Sequence, residues 1–306
     1  MQRRTFLKMA SAAGVAGPAL ALSPQAHAMT TADPLRPGHA RQIQKAVKFG
    51  MIRTDGSIRE KFELLAELGY DGVEMDSPSN IDREEAKAAA EETGITIHGV
   101  VNSVHWQHTL SDADPAVRGR GLAGLETALR DAAFYGATTV LLVPAVVRKQ
   151  VSYADAYRRS REEILKTVPL AEELGVTIAF ENVWNHFLLS PLEAAAYVDS
   201  FESDAVGWYF DVGNIVNYGW PEHWIAALGQ RIVKLDIKEY SRQKRDDEGL
   251  WRGFQVELLE GDCDWPAVMT ALDEIGYTGW ATAEVGGGGP ERLRDIAERM
   301  DRIIAS

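Results

Sequence analysis

Four short apolar runs each end in a carboxylate: Ile178-Ala179-Phe180-Glu181, Trp208-Tyr209-Phe210-Asp211, Val233-Lys234-Leu235-Asp236 and Thr282-Ala283-Glu284. An ionised acid at the end of a buried strand is costly unless a cation or a set of donors meets it. Any one of them alone would serve equally well as the cap of a following helix or as half of an ion pair with Lys or Arg. Brought together, the four make an all-oxygen donor set. Such a set suits one hard divalent ion, Mn²⁺ or Mg²⁺ before Co²⁺ or Zn²⁺, and is a poor match to structural zinc.

The elements that would bring them together are marked by a repeated punctuation: an amphipathic helix, a glycine at its end, then a short run rich in Val, Ile and Thr. It recurs at Leu68-Gly69, Thr93-Gly94, Tyr135-Gly136, Leu174-Gly175 and Ile275-Gly276. Helix starts are equally marked. Ser57 with Glu60 and Ser190 with Glu193 have capping-box spacing, and Asp114-Pro115 and Gly289-Pro290 set proline at the first helical position. Strands are expected over 47–52, 72–76, 96–101, 139–143, 177–181, 207–211, 232–237 and 280–285. Eight strands alternating with helices predict a single α/β domain, a closed (β/α)₈ TIM barrel over 46–306. A doubly wound sheet fits less well, because no Gly-x-Gly-x-x-Gly opens a helix after the first strand.

A barrel of this kind carries its chemistry on the loops that leave the C-terminal strand ends. The long connections lie there, over 102–114 and 238–264, and the four acids would share one mouth. Around it, Glu74 on the second strand and Lys238, with the inward parity of Asp236, are candidates to hold a ligand's polar groups or to form ion pairs. Trp184, Trp106 and Trp251 could stack on an apolar face of a ligand or belong to the core. His105 and His186 are near enough to contact a substrate. The run Gly286 to Gly289 reads either as a phosphate cradle or as a place of close backbone approach. The charged stretch 242–248 reads as a solvated loop or lid.

At these residues the chain resembles the sugar isomerase/epimerase superfamily of xylose isomerase-like barrels, which includes tagatose 3-epimerase-like enzymes and inosose dehydratases. The resemblance runs from about Val47 to Ala305. It implies one metal held by Glu181, Asp211, the strand-seven position and Glu284, with the two glutamates also moving protons. The family's strand-seven motif His-x-Lys-Asp is Asp236-Ile237-Lys238-Glu239 here, which puts aspartate where histidine is expected. Arg242 falls where a substrate-binding arginine does in the epimerases. The family's Asp-x-x-His is Asp211-Val212-Gly213-Asn214, so an amide replaces a hydrogen-bonding imidazole, and Asn214 is a candidate to bind substrate. A sugar's carbonyl and adjacent hydroxyl on such a metal would let one glutamate remove a neighbouring C–H proton through an enediolate and the same or the other glutamate return it. Isomerisation or epimerisation follows. A beta leaving group would turn the same step into a lyase or hydratase reaction on a keto-glycoside, and a barrel that had lost catalysis would bind sugar only.

Lys plus Arg number 32 against 45 Asp plus Glu, a formal charge of −13. Removing the three cations of the first twenty-eight residues (Arg3, Arg4, Lys8) leaves −16. That balance disfavours nucleic acid and anionic membrane as partners. The small sugar that the resemblance implies is expected to be unphosphorylated, because the N-terminal residues read as an export signal and phosphorylated sugars are chiefly cytoplasmic. A single cysteine, Cys263, excludes an internal disulfide. Residues 1–28 resemble a twin-arginine export signal, with Arg3-Arg4, a weak apolar stretch too short to span a membrane, and Ala26-His27-Ala28 before the cleavage point. A linker over 29–45, carrying Pro34 and Pro37, and a periplasmic location are expected to go with it. Exposed barrel helices are compatible with a homo-oligomer.

Overall fold

The five glycines expected to end helices all have positive φ, from 66° to 77°, at Gly69, Gly94, Gly136, Gly175 and Gly276. The expected starts are also in place. Ser57 and Glu60 form a full capping box, Ser190 accepts from the Glu193 amide, and Pro115 and Pro290 open their helices. In the computed structural model, which describes residues 41–306, these helices alternate with eight parallel strands that close in sequence order into one barrel. The strands are β1 Ile43–Lys48, β2 Gly72–Ser77, β3 Thr96–Asn102, β4 Thr139–Leu142, β5 Thr177–Glu181, β6 Val206–Asp211, β7 Ile232–Ile237 and β8 Gly279–Ala283. The leader and all but the last five residues of the expected linker lie outside the described residues.

Two expectations are corrected here. The first strand begins at Ile43, inside the stretch read as linker, and ends at Lys48, where a 3-10 turn over Phe49–Met51 takes over. Pairing decides this: β1 runs beside β8 from Ile43↔Gly279 to Val47↔Ala283, and beside β2 up to Lys48↔Glu74. The apolar residues of 47–52 that suggested a later strand are spent on the turn, with Met51 and Ile52 buried beneath the last connection. The second correction is the charged stretch, where Arg242–Glu248 forms a helix capped by Ser241 rather than a loop.

The main apolar core lies between barrel and helices, where Phe180 packs on Tyr197 and Phe201 with ring centroids 5.3 and 5.4 Å apart. A large side chain buried there contributes roughly 1.5–3 kcal/mol. The barrel interior is different. Leu141, Ala179 and Tyr209 form a small apolar layer of their own. A polar chain accompanies them: Tyr209 Oη to Thr282 Oγ1 at 3.0 Å, Thr282 to His98 Nε2 at 3.2 Å, and His98 Nδ1 to Lys234 Nζ at 3.0 Å. His98 is thus a structural residue, stacked on Trp280 at 4.5 Å.

Candidate active site and metal centre

Glu181, Asp211, Asp236 and Glu284 each offer an oxygen within 4.8 Å of the others. Strand register explains the convergence: Asp211 lies opposite Asp236, and the amide of Glu284, one residue past β8, donates to the Ile237 carbonyl at 3.0 Å. Asp211 and Asp236 are fully buried, and Glu181 is nearly so. Asp211 is fixed from three sides. The Asn214 amide reaches its Oδ1 at 2.9 Å, and Asn214 Nδ2 and Lys238 Nζ both reach its Oδ2 at 2.6 Å. Lys238 also lies 3.3 Å from Glu284.

A second ammonium enters from β1. Lys48 Nζ stands 3.0 Å from Asp236 Oδ2, 3.2 Å from Glu284 Oε2 and 3.7 Å from Glu74 Oε2. Glu74 is buried below the cluster, and Gly99 makes room for it, since a Cβ there would fall 2.9 Å from Glu74 Oε1. Both Glu74 oxygens and Asp236 Oδ1 have no hydrogen-bond partner among the described residues. Lys48 and Lys238, with Lys234 acting on Glu74, therefore face five carboxylates, so acids outnumber cations in the cluster.

The electrostatic consequences differ from acid to acid. Burial, then the Glu284 charge, pushes the Glu181 carboxyl up to about 8. Burial also raises Asp211, Asp236 and Glu74 against the pull of the lysines, Asp236 most strongly. Glu284 goes the other way. Burial would raise it, but Lys238 and Lys48 together hold it below the usual carboxylate range. Such a set at best breaks even as an ion-pair network, so stability does not account for it. An all-oxygen cluster with surplus negative charge and an unpartnered, fully buried oxygen on Asp236 fits a hard divalent cation.

The cluster opens into a cavity of about 510 Å³. Glu181, Glu284, Asn214 and Lys238 form its polar floor, and Trp106, Trp184, Trp251 and Phe254 its aromatic wall. Trp184 is locked by its indole N–H on the Asn214 carbonyl at 2.8 Å and packs on Trp251 and Phe254, both at 4.8 Å. The structure thus brings Trp184, Asn214 and Lys238 to the acids and places Glu74 beneath them. It sets two other candidates, His186 and Arg242, apart from this lining, while Gly286 of the glycine run belongs to it. His186 is exposed on a left-handed turn. Arg242 donates to the Val216 and Gly219 carbonyls at 2.9 and 2.8 Å, which ties the loop after β6 to the helix after β7. Within the glycine run, Gly288 gives its amide to the Met51 carbonyl at 3.0 Å and a Cβ on Gly287 would collide with Met51, so close approach accounts for these two glycines.

His105 is buried, and its Nδ1 accepts from the Val143 amide at 3.1 Å, joining the loop after β3 to the end of β4. Burial, then Lys48, depresses its pKa from 6.5 to about 3. The unfolded chain therefore takes up this proton near pH 6.5 while the native chain does not until about pH 3. Its contribution is complete above pH 6.5 and is lost as pH falls, at about 1.4 kcal/mol per unit. Urea midpoints at pH 7 and pH 5 should show a shallower loss for His105→Gln than for wild type; equal slopes would contradict this.

Three residues of the site escape the reading from sequence. Lys48 sits inside an apolar run assigned to the wrong register. Asn182, next to Glu181, accepts from the Asp211 amide and the Trp208 indole, both at 3.0 Å, and so locks β5 to β6. Glu239 holds the 257–263 stretch by accepting from Leu259, Cys263 and the Trp265 indole at 2.9, 3.0 and 2.8 Å. Gly261 permits that, as a Cβ would come 2.6 Å from Glu239 Oε1. The available signals were the place of Asn182 beside Glu181 and that of Glu239 at the end of the strand-seven motif.

Residues 62–304 match the xylose isomerase-like TIM barrel family, and the chain belongs to it. A protein of Escherichia coli K12 named as an L-ribulose-5-phosphate 3-epimerase is 26% identical over 251 residues, 78% of this chain and 87% of that one. Among solved structures, the 3-keto-D-glucoside 4-epimerase of E. coli superposes with a TM-score of 0.73 at 16% identity, covering 86% of this chain and all of the other. The D-allulose 3-epimerase of Methylomonas sp. in complex with D-allulose gives 0.70 at 18% identity, covering 87% and 97%. At those identities the structural matches establish the fold.

Proposed function

We propose that this protein is a divalent-metal-dependent sugar isomerase or epimerase acting on a small unphosphorylated sugar, with Mn²⁺ or Mg²⁺ held by Glu181, Asp211, Asp236 and Glu284. The observation that carries this reading is the meeting of four strand-end carboxylates within 4.8 Å, two of which, Glu181 and Glu284, line an aromatic-walled cavity while Asp211 and Asp236 are buried behind them. When bound, the metal would polarise a carbonyl and acidify the adjacent C–H. Glu181 ends β5 and Glu284 follows β8, so two carboxyls reach the cavity from different strands, one to remove a proton and the same or the other to return it. Asn214 and Lys238 hold Asp211 in place, and Trp184 supplies an apolar face for sugar C–H groups. The lining cation, Lys238, is already spent on Asp211 and Glu284, which supports a ligand without phosphate.

A second reading is a lyase or hydratase acting on a keto-glycoside. The part-exposed Trp106 and Trp251 favour it, because they extend the apolar wall beyond the acids toward solvent, where an aglycone would lie. Incubation of the Mn²⁺-loaded protein with ketoses and keto-glycosides in D₂O tests both. Deuterium at a carbon next to the carbonyl with the glycoside intact supports epimerisation, free aglycone supports elimination, and neither across a broad panel refutes both.

A further inference from the structure

We propose that Lys48 is a built-in counter-ion of the metal centre that weakens its hold on the divalent cation. This rests on the metal reading given above. Lys48 is the last residue of β1, and its ammonium crosses to three other strands, touching Asp236 and Glu284 at 3.0 and 3.2 Å and approaching Glu74 at 3.7 Å. Two of those three acids are members of the four-carboxylate set. The ammonium thus lies along the Asp236–Glu284 edge of the cluster, while Lys238 lies along the Asp211–Glu284 edge.

Asp236 is split between two uses. Its Oδ2 is bound to Lys48, and its Oδ1 is fully enclosed without a partner. An aspartate in that state can keep the lysine on one oxygen and offer the other to a cation. Any cation at the cluster then sits close to a fixed positive charge, with little water between to screen it. Lys48 also makes five neighbouring carboxylates tolerable in the metal-free protein, since an uncompensated buried charge is strongly destabilising. Both effects favour the metal-free state. The result is a centre that binds a divalent ion reversibly instead of trapping it.

The sign of the effect separates this from a merely structural role. Losing an anchor that only orients Asp236 would loosen the ligands and weaken metal binding, whereas losing a counter-ion tightens it. The test uses the full chain with Mn²⁺ alone as probe, its dissociation constant measured by calorimetry or chelator competition at fixed pH and salt. Lys48→Met should tighten Mn²⁺ by about tenfold or more. Lys48→Arg, which keeps the charge, should stay within about threefold of wild type. Lys48→Gln keeps a hydrogen-bond donor without charge and should follow Lys48→Met, which preserves the test if the methionine variant does not fold. Purifying either neutral variant with Mn²⁺ present and then titrating in chelator gives the same comparison. Mn²⁺ binding no tighter in the folded neutral variants than in wild type overturns the inference and leaves the metal reading standing. Absence of Mn²⁺ binding in wild type and neutral variants alike overturns both.

Discussion

Glu181→Gln in the Mn²⁺-loaded protein is expected to lower turnover by roughly 10³-fold, with loss persisting when Mn²⁺ is raised to saturation. The amide keeps the shape and cannot take or give the proton, and a positioned acid or base is typically worth 10²- to 10⁴-fold. The persistence at saturating metal matters because Glu181 is also a proposed ligand. A defect repaired by extra Mn²⁺ would assign Glu181 to metal binding alone. Its surroundings support the stronger expectation: Glu181 ends β5 and lines the cavity together with Glu284. Steady-state kinetics across a Mn²⁺ series reads the outcome.

The second large effect concerns Asp236. Asp236→Ala should weaken Mn²⁺ by about tenfold or more, since it removes a buried charged ligand from a centre whose remaining three carboxylates are partly neutralised by Lys238 and Lys48. Asp236→His should keep a metal but shift preference toward Zn²⁺ or Co²⁺, because imidazole is the softer donor. Lys48 makes a further distinction possible. In Asp236→His the ammonium loses the partner it holds at 3.0 Å, so adding Lys48→Met should recover Mn²⁺ affinity that Asp236→His alone has lost. Wild-type affinity and unchanged ion preference in Asp236→Ala would remove Asp236 from the ligand set.

Most of the barrel was legible because its signals are local. A glycine that must adopt positive φ ends each of five helices, and caps or prolines open the next ones, so the alternation of helix and strand can be read without tertiary knowledge. The acids were legible for a related reason: a carboxylate that ends an apolar run contradicts its own neighbourhood. Lys48 carried no such signal. Val47, Phe49 and Met51 around it read as a continuing strand, and only the pairing, which ends at Val47↔Ala283 with β8 and at Lys48↔Glu74 with β2, shows that the strand stops at Lys48. His105 and Arg242 failed in the opposite way. Both are polar residues on functional loops, yet their partners are the Val143 amide and the Val216 and Gly219 carbonyls, which no spacing in the sequence specifies. Glu239 shows the same limit, its work being done on residues twenty and more positions away.

The central claim is that the four strand-end acids form a metal centre that lets Glu181 and Glu284 exchange a proton next to a sugar carbonyl. The most direct measurement is deuterium incorporation into ketoses and keto-glycosides in D₂O, followed by NMR. Wild type loaded with Mn²⁺ is compared with chelator-treated wild type and with Glu181→Gln. The account predicts carbon-bound deuterium only in the loaded wild type, with activity restored to the chelated protein by Mn²⁺. Exchange that survives both chelation and Glu181→Gln, or no exchange by the loaded wild type on any of these substrates, would contradict it.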